Sequence, residues 1–219
     1  MDFSKGVLGS VIVAVGTITA AVGSTPSNII TGDLRNSLNM WGNILQAGGN
    51  ALQAEVQGDF LRTTGKEFQS IGNVTVFTGV VFDKNKQTSQ KLFITGNWIQ
   101  ALGGFINVGH GLELTPFPGH PENIIGNVLQ ATGNSLQAMG GVKELNKIEN
   151  TDKSVKEQTE GNSSYRMEGI YEYGKALDNE IDKNDGEFQL VTGSWIQAIG
   201  SVISMIGTIK ETRYTNESQ

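Results

Sequence analysis

The sequence has no cysteine, only four prolines, and 22 acidic against 16 basic side chains. Without thiols there are no disulfides, thiolate metal sites or cysteine nucleophiles. With so little proline and no G-x-y period, a collagen-like chain is excluded as well. The net charge of −6 and a pI near 5.0 leave no basic footprint for nucleic acid, and no Lys/Arg cluster with interleaved aromatics occurs. There is no G-x-S-x-G elbow. Phosphate-loop chemistry is missing too, because Gly65-Lys66 is followed by Glu67 rather than by Ser or Thr. Only two histidines exist, His110 and His120, each beside a Gly/Pro-rich turn with Glu113 or Glu122 near in sequence. They read as polar loop residues rather than as metal ligands or acid–base groups. The chain is therefore expected to be non-enzymatic, with no cofactor, no metal and no small-molecule substrate.

What the sequence has in excess is glycine: 29 of 219 residues, about twice the usual share of roughly 7%. The glycines recur every seventh position, as Gly9, Gly16, Gly23; Gly42, Gly49; Gly58, Gly65, Gly72, Gly79; Gly96, Gly103; Gly119, Gly126, Gly133, Gly140; and Gly186, Gly193, Gly200, Gly207. Between them lies a near-constant unit, G-[NS]-x-[IL]-Q-A-x-G, clearest as GNWIQALG from Gly96, GNVLQATG from Gly126, GNSLQAMG from Gly133 and GSWIQAIG from Gly193. Several stretches, such as 73–82, are rich enough in Val and Thr to be strands. Residues seven apart point to opposite faces of a strand, however, and nothing would then hold the glycines in register.

With glycine as heptad position a and 100° per residue, apolar or small residues at a, c, d, f and g cover an arc of about 220°. On this reading most of the helix surface is buried. What remains is a polar, uncharged stripe at b and e: Asn97 with Gln100, Asn127 with Gln130, Asn134 with Gln137, and Ser194 with Gln197. Glycine costs about 0.8–1.0 kcal/mol relative to alanine inside a helix, so an offsetting gain is required. Close backbone approach supplies it, with Gly9, Gly16, Gly42, Gly49, Gly65, Gly72, Gly96, Gly103, Gly126, Gly133, Gly193, Gly200 and Gly207 forming seams on which Leu129 or Ile196 of a partner helix packs.

Intervals free of Asp, Glu, Lys and Arg run over 6–32, 36–54, 68–82, 92–112, 123–142 and 188–209. Turn signals at 24–28, 83–86 and 115–121 and a register slip at 55–58 separate them. The expected fold is all-α, a bundle of about six antiparallel helices. Its body covers 1–142, a charged insert covers 143–187, and a C-terminal glycine-heptad helix, 188–219, packs back on the body. In the insert 19 of 45 residues are charged, and it reads as a solvated helix pair or loop with a helix over 167–181. The segment 1–24 carries one lysine followed by eighteen apolar or small residues. Because its glycines share the common register, it reads as a retained structural unit and not a cleaved signal.

The octads at Gly96 and Gly193, with their echoes at Gly9, Gly42, Gly126 and Gly133, resemble uncharacterised repetitive proteins of Bacillus and related spore-formers built from W-I-Q-A-[IL]-G units. The resemblance covers about half of the chain and implies a bacterial, non-enzymatic protein, cytoplasmic or associated with the spore or cell surface. The function expected first is structural: a self-assembling multimer, filament or coat component whose partner is itself. The rival expectation is a membrane-inserting, pore-forming or toxin-like protein. Charge-free stretches reach bilayer-spanning length, and small-residue faces suit helix packing in lipid. Against it stand a mean hydropathy of −0.20 and an Asn, Ser or Gln in every heptad, which lipid would not satisfy unless the stripes face inward.

Overall fold

The computed structural model describes the backbone of residues 3–81, 85–160 and 168–218, and the side chains of all of these except 3–4 and 154–185. The described residues form six α-helices and no strand: α1 (Phe3–Ser24), α2 (Gly32–Val56), α3 (Phe60–Val81), α4 (Lys86–Glu113), α5 (His120–Glu160) and α6 (Glu168–Glu217). The segment 73–81, the candidate strand, is helical, and the register slip at 55–58 marks the connection between α2 and α3. Capping follows the local sequence. Thr31 accepts from the Leu34 N–H, Asn85 from those of Gln87 and Thr88, and Asp59 from those of Leu61 and Arg62, satisfying donors that each helix start leaves open. The helix expected over 167–181 is part of α6, which runs without a break into the last glycine heptads. Met167 and the turn residues 83–84 lie outside the described residues.

Among the described residues each helix packs only on its two neighbours: α1 on α2, α2 on α3, α3 on α4, α4 on α5, α5 on α6, and α6 on α1. The six helices therefore close a ring, and none lies across its centre. The tightest contacts fall within three hairpins, α1–α2, α3–α4 and α5–α6. Glycines set their register. Gly16 faces Gly42 and Gly9 faces Gly49; Gly72 faces Gly96 and Gly65 faces Gly103; Gly133 faces Gly193 and Gly126 faces Gly200. Moving seven residues up one helix moves seven down its partner, so each seam is a ladder of glycine pairs two turns apart. Gly207 extends the last ladder onto Gly119, which adopts φ +91° in the loop before α5.

A methyl on Gly126 would lie 2.7 Å from the Gly200 carbonyl oxygen, and one on Gly200 2.7 Å from that of Gly126. The seam is thus backbone on backbone. Leu129 does lie against Gly200, its Cβ 2.8 Å from where a methyl would stand. Gly133 is met by the Gly193 carbonyl oxygen and by the backbone N and Cβ of Gln197.

The heptad divides into two faces. Positions a, e, b and f, occupied by Gly, Gln, Asn or Ser and Ala, span about 140° and are buried, as at Gly96, Asn97, Gln100 and Ala101. Positions c and g, mostly large apolar residues, look outward, as at Trp98 and Leu102, while d, as at Ile99, is half-buried beside the seam. This corrects the sequence reading of the stripe. Asn97, Gln100, Asn127, Gln130, Asn134, Gln137, Ser194 and Gln197 are the interior of the molecule, and the large apolar residues of the arc, such as Trp98, Leu102 and Ile199, lie on its surface. The glycines draw the a positions together, and e and b, at 40° and 100° from a, must then turn toward the ring axis.

Candidate functional site

The interior is a polar lumen. Among the described residues the buried apolar side chains are all alanine or valine, while Trp41, Trp98, Phe105, Ile199 and many other large apolar residues lie on the outside. Water-soluble proteins bury Leu, Ile and Phe first; this one buries amides.

The lumen is organised in layers because the three hairpins share one register. Four residues after a seam glycine come Gln46 on α2, Gln100 on α4, and Gln137 and Gln197 on the α5–α6 hairpin. These four join across the axis. Gln137 Nε2 donates to Gln197 Oε1 at 3.0 Å, and Gln197 Nε2 donates to Gln46 Oε1 at 2.8 Å and to Gln100 Oε1 at 3.2 Å. Two helical turns away, the equivalent positions hold Gln53, Gln69, Asn107, Gln130 and Ser204, also buried. The b-position amides serve the wall. Asn43, Asn73, Asn97 and Asn127 each donate Nδ2 to the carbonyl four residues back, at 2.7–2.9 Å, anchoring a polar side chain on its own helix. The acceptor oxygens of Asn50, Asn73, Asn127 and Asn134 receive no hydrogen bond from the protein.

On one side of the Gln46–Gln100–Gln137–Gln197 layer lies a cavity of about 540 Å³ lined by all six helices. Arg35, Glu144 and Glu187 stand among its lining residues, and Arg35 donates to the carbonyls of Gly23 and Ser24 at the end of α1. At the opposite end lies a separate cavity of about 40 Å³, bordered by Lys66, Arg62, Gln53, Asn107 and His110. Arg62 forms a two-pronged ion pair with Glu211 at 2.9 and 3.2 Å. The histidines differ from the expectation of loop residues. His110 sits in the last turn of α4, 3.4 Å from Asp59. His120 begins α5, buried, with Nε2 2.7 Å from the Gly111 carbonyl and its ring stacked on Phe117. Among the described residues no group of three or more His, Cys, Asp or Glu is placed to hold a metal ion.

Sequence reasoning found the glycine seams and the amides but missed Lys66. Its signal was available. Lys66 occupies position b, one residue after a seam glycine, where the other helices carry Asn, Ser, Thr or Gly.

A closed ring of six glycine-seamed helices around an amide-lined lumen defines the structural class. The chain belongs to a family of unknown function, DUF6944, whose model matches residues 4–205. No curated protein and no solved structure matches it.

Proposed function

We propose that the chain is a membrane-embedded helical barrel that offers a polar path across the bilayer, closed in this state at the Gln46–Gln100–Gln137–Gln197 layer. The observation that carries this reading is the inverted distribution of side chains: amides inside, and Trp, Leu, Ile, Phe and Val outside. In water such a surface would be left unsatisfied and such an interior would gain little from burial. In lipid both become favourable, because the bilayer solvates the apolar faces and the ring shelters the polar ones. The inward-facing stripe also removes the objection raised by the low mean hydropathy.

Dimensions agree with this. The charge-free intervals of 19–22 residues on α2, α4, α5 and α6 correspond to about 28–33 Å of helix, close to the roughly 30 Å hydrocarbon thickness. Most charges gather at the ends of this band, with Lys5, Glu55, Asp59 and Lys210 at one and Asp33, Lys86, Lys91 and Lys147 at the other. The exception is α3, since its charge-free run is only 68–82 and Glu67, exposed two residues past the Gly65–Gly103 pair, lies within the band. Two of the helices, over Lys5–Ser24 and Gly186–Glu217, are apolar enough by composition alone to cross a membrane. The remaining four gain their apolar character only when the outward face is considered separately. Close Gly-to-Gly seams are also how helices associate where no hydrophobic drive acts between them.

The test uses the three tryptophans, which are 56%, 46% and 40% exposed at positions 41, 98 and 195. Reconstituted into vesicles whose acyl chains carry bromine, the protein should lose most of its tryptophan fluorescence, while aqueous acrylamide should quench little. A detergent-free, monodisperse preparation quenched by acrylamide and not by brominated lipid would remove the proposal. If light scattering instead finds a discrete oligomer without lipid, copies of the chain cover the apolar faces, and the self-assembling reading takes its place.

A further inference from the structure

We propose that the narrow end of the lumen binds a small monovalent anion on the ammonium of Lys66. Lys66 is the one Lys, Arg, Asp or Glu among the described residues that is buried, at 7% exposure. Its Nζ donates to Gln69 Oε1 at 3.3 Å, a neutral partner that does not balance its charge. Of the carboxylates near this end, Glu211 is held by both prongs of Arg62, Asp59 lies 3.4 Å from His110, and Glu67, the next residue, is exposed on the outer face. Arg62, one turn away, adds positive charge rather than offsetting it. A buried ammonium without a counter-charge is costly, and an anion at this point would supply that counter-charge.

Two further donors are unmet at the same place. Asn107 Nδ2 and Gln69 Nε2 are buried and donate to nothing in the protein. The Asn107 amide packs against Gly65, the residue before Lys66, and the Gln69 side chain lies against Gly103, one turn from Asn107. Ammonium and amide N–H groups together call for a ligand that only accepts hydrogen bonds. The adjoining cavity, about 40 Å³ and bordered by Lys66 and Asn107, compares with the roughly 10–15 Å³ that one water needs, so it has room for about three waters or one small anion. The site is made by the interior of the ring, so it holds whether lipid or protein covers the outside.

The full-length protein in detergent should melt roughly 2–4 °C higher in sodium chloride than in sodium gluconate of equal ionic strength, as binding to the folded state requires. The ³⁵Cl resonance should broaden on adding protein and sharpen again with excess bromide. Both effects should vanish in Lys66→Met, whose helicity by circular dichroism should match the parent. Equal melting in the two salts with no line broadening would overturn the site, as would full retention of both effects in Lys66→Met. Should Lys66→Met not fold, the parent's salt comparison and bromide competition still decide. Neither measurement depends on the tryptophan quenching result, so the anion site and the membrane reading can fail separately.

Discussion

Gly72 on α3 and Gly96 on α4 stand so close that a methyl group on either would lie 2.6 Å from the carbonyl oxygen of the other. No side chain fits there: besides Gln100 Cγ at 2.5 Å and Val76 Cγ2 at 2.6 Å, the neighbours are backbone atoms that cannot swing aside. Gly72→Ala or Gly96→Ala must push the helices apart, at a cost on the scale of overpacking, about 1–3 kcal/mol or more. Gly48 and Gly109 are helical too but have nothing within 4 Å of a built Cβ. Gly48→Ala should stabilise by up to about 1 kcal/mol through helix propensity alone. Equilibrium unfolding of the three variants should separate them by sign. Seam and open glycines behaving alike would mean the close approach does not hold the hairpins.

Gln197 receives one hydrogen bond, from Gln137, and donates two, to Gln46 and Gln100. In Gln197→Leu all three partners lose a bond inside the lumen. A buried polar group left without a partner costs about 1–3 kcal/mol, whereas Leu would stabilise an ordinary apolar core. The variant should unfold at lower denaturant concentration, and Gln197→Glu should allow faster solute passage through reconstituted vesicles, because a charge attracts water into the layer. A Gln197→Leu protein more stable than the parent would argue that the amides are incidental to the fold.

The heptad spacing was enough to read six helices, the break at 55–58 and the seam glycines. It was not enough to say which face is inside. Period reports which residues share a face, as Asn97 shares one with Gln100, and Trp98 with Leu102. It is silent on the solvent that each face meets. Assuming water outside, the 220° apolar arc reads as buried. The structure places Asn97 and Gln100 in the lumen and leaves Trp98 and Leu102 half exposed. Lys66 escaped notice for a related reason: its Gly-Lys pair was weighed only as a phosphate loop. Comparing it with Asn97 and Asn127, which fill the same slot on other helices, would have set it apart. His120 looked like a loop residue because Pro118 and Pro121 flank it; in the fold Pro121 instead takes an early helical position, where a missing N–H does no harm.

Asp59 supplies the pH dependence that can be derived most directly. Its carboxylate lies below the ordinary aspartate value, first because the Arg62 backbone N–H donates to it; burial opposes this next, and His110, the Leu61 N–H and the Arg62 charge lower it further. Since the folded value is the lower one, the stabilisation is fully present above the unfolded value, about 3.9. It is lost as pH falls through the folded value. Glu122 is shifted in the same direction, chiefly by the side chain of Lys210. The melting temperature should stay flat from pH 7 to about 5 and fall below about 4. An Asp59→Asn, Glu122→Gln double variant should show a shallower acid limb. An unchanged limb would assign acid sensitivity to other carboxylates.

Leu102 and Ile199 point away from the lumen, on α4 and α6, in the middle of the charge-free band. In a water-soluble protein, a charge at so exposed a site changes stability by no more than about 0.5 kcal/mol and improves solubility. In a bilayer, a charged residue at the helix centre costs about 2.5–3.5 kcal/mol on the insertion scale. Leu102→Lys and Ile199→Lys should therefore shift the protein from the carbonate-resistant membrane fraction to the soluble or aggregated fraction, and the double variant should do so more completely. Lysine at Asn36, on the wide-cavity rim of α2, should leave partitioning unchanged, since that end already carries Asp33 and Arg35. The comparison isolates depth from charge. If Leu102→Lys and Asn36→Lys fractionate alike, the outward apolar face does not meet lipid, and copies of the same chain are left as its cover.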